Sequence, residues 1–213
     1  MNRSSVPRIE KGKGNVPTAL RREISDVLID HETLQKRVRQ LGAVIQKDFA
    51  GKELVVIALL NGTVLFLADL LRELSMPLRL DFIGVSSYRG GTSPRELIYT
   101  KELRLDVKGR DVLLVDDILD TGRTLHSVSE KIRALQPRRL RMCALLDKPA
   151  RRVIKIKADY TGFRIPDYFV VGYGLDYAER FRNLPFVGVL NPEVYEAKMP
   201  PPTVAPPRPS AHS

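Results

Sequence analysis

Residues 112–125, Val-Leu-Leu-Val-Asp-Asp-Ile-Leu-Asp-Thr-Gly-Arg-Thr-Leu, restrict the fold more than any other stretch of this chain. Four apolar residues in a row end on Asp116 and Asp117. A strand with one wet face alternates, whereas an unbroken apolar run is covered on both sides. A short turn, Asp120-Thr121-Gly122-Arg123, follows. From Thr124 onward Leu125, Val128, Ile132 and Leu135 recur at helical spacing over residues 124–135. A buried strand, a tight turn and an amphipathic helix make half of a parallel βαβ unit. In open α/β sheets, carboxylates at such a strand end lie where ligands bind.

The rest of the chain repeats the alternation. Asp30 is a candidate N-cap for a helix with Leu34, Val38, Leu41 and Ile45 on one face. Residues 54–60 are wholly apolar and read as a second covered strand, which Asn61-Gly62-Thr63 ends before an apolar helix to about residue 74. Residues 78–85 read as a strand, 86–96 as a polar loop with Gly90-Gly91 and Pro94, and 97–103 as a returning strand. Further strands are expected at 140–146 and 168–172. Strands that alternate with helices predict an α/β fold with a mainly parallel, twisted sheet flanked by helices.

Composition narrows the class. The 213 residues suit one domain with appendages, and 43% apolar content supports a real core. The longest apolar run has seven residues, far below the roughly 20 of a membrane span. Cys143 is the single cysteine, so no internal disulfide is possible; mid-strand, it reads as a small buried hydrophobe. The N-terminus lacks an apolar signal stretch, and the cytoplasm is the expected address. The net charge of +10 is concentrated at the ends: +4 in residues 1–24 and +2 in residues 197–213. The expected organisation is a flexible basic arm at 1–23, one domain at 24–196 and a disordered proline-rich tail at 197–213. The mildly basic body suits an anionic small molecule, and nucleic acid is not the expected partner.

The 112–125 segment also carries the chemistry. Gly122 allows a tight turn that turns backbone N–H groups outward, Thr121 and Thr124 add hydroxyls, and the helix start adds its positive dipole end. Such a turn cradles a phosphate monoester. Two carboxylates next to it would repel a bare phosphate. They fit a ligand that also presents vicinal ribose hydroxyls, or a Mg²⁺. Three plainer readings compete. Helix capping accounts for one Asp but not for three around a Thr-Gly-Arg-Thr turn. The Asp-Asp-x-x-Asp spacing of terpenoid synthases lies on helices, whereas this one follows a β run. Aspartyl-phosphate phosphatases need Asp-x-Asp, and here the pair is adjacent.

The segment resembles the phosphoribosyl-diphosphate (PRPP) motif of type I phosphoribosyltransferases. The resemblance covers most of residues 30–192. Ser87-Tyr88, Lys148, Phe169-Val170-Val171-Gly172-Tyr173-Gly174-Leu175-Asp176-Tyr177 and Phe181-Arg182-Asn183-Leu184-Pro185 are similar to the hypoxanthine-guanine branch. It implies the type I fold with a small hood formed by the N- and C-terminal segments. It implies purine salvage: transfer of the phosphoribosyl group to hypoxanthine or guanine, giving IMP or GMP and diphosphate, with Mg²⁺. It implies roles as well. Asp116 and Asp117 hold the ribose hydroxyls, directly or through Mg²⁺. Asp120, Thr121, Gly122, Arg123 and Thr124 hold the 5′-phosphate, and Asp120 takes a proton from the purine. Lys148 donates to the purine 6-oxo group, Phe169 stacks on the base, and the Val170 backbone meets its edge. Asp176 borders the purine and supplies a second Mg²⁺ site, Gly62 and Arg182 hold diphosphate, and Ser87-Tyr88 form a lid. A homodimer or homotetramer is the family's usual state.

Taken without the motif, several of these residues read more plainly. Phe169 and Val170 are strand core, Lys148 with Arg151-Arg152 is a solvated charge cluster, and Tyr177 with Phe181 is packing at i, i+4 spacing. His31, His126 and His212 have no ligand-like spacing. The chain departs from the family where Asn61 replaces a common Lys and Asp116 a common Glu. A non-catalytic PRPP or nucleotide sensor that grips nucleic acid is the competing function. Asp120 together with Lys148 favours the enzyme, because a base and a purine-oxygen donor have no use in a sensor.

Overall fold

The computed structural model describes residues 6–10, 12, 15–87 and 97–196. In chain order they form β1 (Ile24–Ile29), α1 (His31–Asp48), β2 (Leu54–Leu60), α2 (Val64–Arg72), β3 (Leu78–Ser87), β4 (Leu97–Lys101), β5 (Asp111–Leu119), α3 (Arg123–Ala134), β6 (Arg139–Asp147), β7 (Tyr160–Arg164), β8 (Val170–Val171), β9 (Val187–Leu190) and α4 (Pro192–Glu196). Asp30 caps α1 as expected, its carboxylate accepting the Thr33 N–H at 2.8 Å.

Six strands build the main sheet in the order β4-β3-β2-β5-β6-β7. Only β4 runs antiparallel to its neighbour; the other pairings are parallel. From β2 the chain winds outward through α2 to β3, and from β5 it winds the other way through α3 to β6. The switch point therefore lies between β2 and β5, and the crevice at their carboxyl ends is where such sheets hold ligands.

The unbroken apolar runs have a direct cause. Leu54, Val56 and Ala58 of β2 enter the core under α1 and α2, while Val55, Ile57 and Leu59 enter the core under α3. Leu113 and Val115 of β5 join the first core, Val112 and Leu114 the second. Each buried aliphatic side chain stabilises the fold by roughly 1.5–3 kcal/mol relative to exposure.

A second, antiparallel sheet of β1, β9 and β8 forms the hood, with β1 from the N-terminal side and β8 and β9 from the C-terminal side.

Several element expectations need correction. β5 does not stop at Val115 but continues to Leu119, because β6 keeps pairing with it through Asp116–Ala144, Ile118–Leu146 and Leu119–Asp147. The two carboxylates thus lie inside the strand. The strand expected at 168–172 is only Val170–Val171, and β4 ends at Lys101. β1, β7 and β9 escaped the pattern reading. Part of the expected flexible arm is tied down: the Ile9 N–H donates to the Arg164 carbonyl and the Arg164 N–H to the Pro7 carbonyl, both at 2.9 Å, beside β7. The Gly12 N–H donates to Asp26 at 3.1 Å.

Candidate active site

The site grows from the carboxyl end of β5. Asp116 is 7% exposed, and its carboxylate accepts the Asp117 N–H at 3.0 Å. Asp117 accepts the Ile118 N–H at 2.8 Å. Burial pushes the Asp116 carboxyl well above the usual carboxylate range, and the neighbouring Asp117 charge adds to the effect. Burial also raises Asp117, partly opposed by its hydrogen bonds and by the field of Arg182. Two buried acids held by little more than single backbone N–H groups are short of positive partners. A ligand bringing hydroxyl donors or a cation would relieve both.

The turn after β5 is built to stay open. Gly122 has φ +85° and caps α3. A Cβ there would lie 2.8 Å from Ile156 Cγ2 and 2.9 Å from the Ile154 carbonyl oxygen, so only glycine fits. The Thr121 carbonyl accepts the Val153 and Ile154 N–H groups at 2.9 and 3.1 Å. The Thr121 hydroxyl accepts the Arg123 N–H at 3.4 Å. Thr124 lies in the first turn of α3, whose leading N–H groups lack intrahelical acceptors. Asp120 Oδ1 is buried with no partner among the described residues, and its Oδ2 lies 3.7 Å from Arg151. An unpaired buried carboxylate oxygen is costly in a fold without a task for it.

Lys148 follows β6 and joins the same end of the sheet, its N–H donating to the Leu119 carbonyl at 3.0 Å. Its side chain is almost fully buried, and Nζ pairs with Asp167 at 3.0 Å. The solvated-cluster reading of Lys148 therefore fails. Asp167 in turn precedes Phe169, which stacks on Tyr195 with ring centroids 5.1 Å apart and meets Tyr177 edge-on at 5.6 Å. Phe169 is 37% exposed, so it is a half-open platform and not core; Val170 behind it is buried in β8.

The hood segment closes on the β2 turn. Gly174, at φ +101°, packs against the Gly62 carbonyl, and Gly62 packs against the Asp117 carboxylate; a Cβ on either glycine would overlap these atoms. Arg182 donates to the Gly174 carbonyl at 2.9 Å and pairs with Asp176 at 2.9 Å and with Glu179 at 2.9 Å. Asp176 also accepts the Glu179 N–H at 3.0 Å. Gly62, Asp117, Asp176 and Arg182 are thereby linked by direct contacts. Ser87 ends β3, and Tyr88 lies outside the described residues.

Sequence reasoning missed four participants: Arg151, Arg152, Asp167 and Gly174. Gly174 had a signal in the Gly172-Tyr173-Gly174 alternation. Asp167 and the two arginines had none, since the contacts that join them to the site, with Lys148, Leu119 and Asp120, are distant in sequence.

Among the described residues, no three acidic, histidine or cysteine side chains gather closely enough to hold a metal alone. The buried, under-partnered Asp116 and Asp117 fit the other mode of Mg²⁺ binding, in which one or two carboxylates share the ion with substrate oxygens and water.

An acidic strand end facing a glycine-turned helix start, at the switch point of an open α/β sheet, suits a ligand that joins a phosphate to sugar hydroxyls. A family model described as phosphoribosyl transferase domain matches residues 25–178. The hypoxanthine-guanine phosphoribosyltransferase of Streptococcus pneumoniae strain R6 is 44% identical over 177 residues, covering 83% of this chain and 98% of that protein. The bifunctional protein TilS/HprT of Listeria monocytogenes is also 44% identical, over 178 residues that cover 83% of this chain, which spans only 28% of that protein. A crystal structure of a hypoxanthine phosphoribosyltransferase from Staphylococcus aureus superposes with a TM-score of 0.79 at 43% identity, covering 85% of this chain and 99% of that one. This chain belongs to the phosphoribosyl transferase family, in its hypoxanthine-guanine branch.

Proposed function

We propose that this protein transfers the 5-phosphoribosyl group from PRPP to hypoxanthine or guanine, forming IMP or GMP and diphosphate. One observation supports the reading: four separate stretches of chain, Gly62, 116–124, Lys148 and 174–182, are linked by direct contacts at the carboxyl end of β5.

The reaction breaks the bond between C1′ and diphosphate and forms one to a purine nitrogen, with positive charge growing on the ribose. Positioning and electrostatics supply most of the catalysis. The turn at 120–124 holds the 5′-phosphate through N–H groups and the Thr121 and Thr124 hydroxyls. Asp116 and Asp117 grip the ribose hydroxyls, and their negative charge faces the ring where positive charge develops. Asp116 and Asp117, and Asp176 at a second site, would hold Mg²⁺, whose charge would offset that of the departing diphosphate. Arg182 meets the leaving diphosphate by exchanging its Glu179 contact for phosphate oxygens. Asp120, with one oxygen unpaired, takes the proton that the purine ring gives up.

Lys148 selects the base. Asp167 takes one of its three donors and the others face the 6-oxo position. Adenine presents a donor there, and two donors facing each other discriminate by about 10⁴-fold or more. Phe169 stacks on the purine and the Val170 backbone meets its edge. Ser87 and Tyr88 keep the role of lid residues that the family resemblance implies, keeping water from PRPP. The enzyme is proposed to act in the cytoplasm as a homodimer or homotetramer, the usual state of the family it resembles. Among the described residues no helix is long and apolar enough to cross a membrane.

Burial of Asp120 Oδ1 and Lys148 at one sheet end supports an enzyme over a nucleic-acid-binding sensor. The test is a spectrophotometric assay with hypoxanthine, PRPP and Mg²⁺, run beside Asp120→Asn. Wild-type turnover is expected, with Asp120→Asn losing about 10²–10⁴-fold in kcat while PRPP binding survives. No turnover, together with salt-sensitive RNA binding, would reverse the assignment.

A further inference from the structure

Arg152 has no part in the roles above, and beside Arg151 it reads in the sequence as half of a solvated doublet. In the fold its side chain is only 16% exposed. All three guanidinium nitrogens are engaged. Nε donates to the Asp120 carbonyl at 2.9 Å and Nη1 to the Ile156 carbonyl at 2.6 Å. Nη2 donates to the Leu119 carbonyl at 2.9 Å and to the Asp147 carboxylate. Its stem also backs the turn, Cδ lying 3.1 Å from where a Cβ on Gly122 would stand. Arg164 steadies Asp147 from the other side at 3.4 Å.

The partners are informative. Leu119 and Asp120 lead directly into the phosphate turn. Asp147 directly precedes Lys148. One planar group that keeps its charge at all working pH values, with donors in a fixed fork, therefore spans the end of β5 and the end of β6. A buried arginine is costly to desolvate unless every donor is paired, and here each nitrogen is. Sheet pairing holds the two strands as far as Leu119 and Asp147, with the Lys148 N–H on the Leu119 carbonyl; Arg152 adds bonds just beyond, to the Asp120 carbonyl and the Asp147 carboxylate.

We propose that Arg152 is a positioning residue that couples the two half-sites. It touches neither substrate. It holds the phosphate turn at a set distance from Lys148, so that the purine nitrogen and C1′ of the ribose meet in register. This rests on the reading of 120–124 as the phosphate side and Lys148 as the purine side. Its signature is specific: a ligand that bridges both halves feels the loss of Arg152, and a ligand confined to one half does not.

Calorimetric titration of IMP and of ribose 5-phosphate against Arg152→Met, Arg152→Lys and the wild type reads this directly. IMP affinity is expected to fall about tenfold or more in Arg152→Met, and ribose 5-phosphate affinity to change less than about twofold, since misplacement by an ångström is felt most where two contacts must be met at once. Arg152→Lys restores part of the IMP affinity. If Arg152→Met does not fold, Asp147→Asn releases only the purine-side leg and should give the same selective loss. Unchanged IMP affinity, or equal losses for both ligands, would overturn the coupling role. Wild-type protein that binds IMP no tighter than ribose 5-phosphate would overturn the site reading, and the coupling with it.

Discussion

Gly174→Ala asks whether the hood must touch the β2 turn for the enzyme to work. Two costs separate cleanly. The first is conformational: at φ +101° an alanine is strained by about 1–3 kcal/mol. The second is steric. The new Cβ would overlap the Gly62 carbonyl oxygen, and since both partners are backbone neither can rotate aside. The two turns must part by on the order of 1 Å to restore ordinary contact. Gly62 touches the Asp117 carboxylate, and Arg182 bonds the Gly174 carbonyl at 2.9 Å, so the separation pulls the proposed diphosphate side off the proposed ribose side. Displacement of that size predicts a drop in kcat/KM for PRPP of about 10²-fold. Melting should fall by roughly 2–4 °C per kcal/mol of strain. Gly109→Ala is the control: Gly109 has φ +66° with nothing within 4 Å of its would-be Cβ, in the turn before β5. It should lose about 1–2 kcal/mol of stability and keep kcat/KM within about twofold. Steady-state kinetics over a PRPP series and thermal melts of both variants make the comparison. Wild-type kcat/KM in Gly174→Ala, or the same activity loss in Gly109→Ala, would refute the reasoning.

Other outcomes are expected. Burial works to raise the Asp81 carboxyl, but the Lys101 ammonium and the Leu105, Arg104 and Phe82 N–H groups outweigh it and hold it at about 2. Against an unfolded value of 3.8, Asp81 contributes about 2.5 kcal/mol of stability above pH ~4, lost as pH falls through ~2. Asp81→Asn should therefore melt lower than wild type at pH 6, with the gap closing near pH 2. Asp116 has the opposite sign. Its carboxyl is raised in the fold, so its charge costs stability above the unfolded value, and the cost grows with pH until the folded midpoint. Asp116→Asn should raise the melting temperature at pH 7, raise it less near pH 4, and weaken PRPP binding; a lower melting temperature at pH 7 would contradict the burial account. Lys148→Met should reduce kcat/KM for hypoxanthine by about 10²-fold while PRPP affinity changes little, as initial rates with each substrate varied would register.

The central architecture was legible because it rests on short-range patterns. The seven apolar residues of β2 show a strand covered on both faces, and its alternate side chains do divide between two cores. Asp30 showed the start of α1, and Asp116 to Thr124 showed the strand–turn–helix. The weaker elements were not legible. β7, Tyr-Thr-Gly-Phe-Arg, contains a glycine and two polar residues and becomes a strand only because β6 offers it a parallel edge. β5 runs four residues past its apolar stretch for the same reason, since neighbouring backbone groups pair whatever the side chains are.

The site divides along the same line. Local chemistry settled the acidic pair, the glycine turn and the helix start, because those residues are consecutive and the backbone itself brings them together. What faces them was a matter of tertiary structure. Lys148 is buried and paired with Asp167, Arg182 reaches Asp117 by way of Gly174 and Gly62, and Arg152 braces two strand ends. Each of these contacts joins groups on different elements, and only the folded sheet and the packing of the hood against it determine their distances.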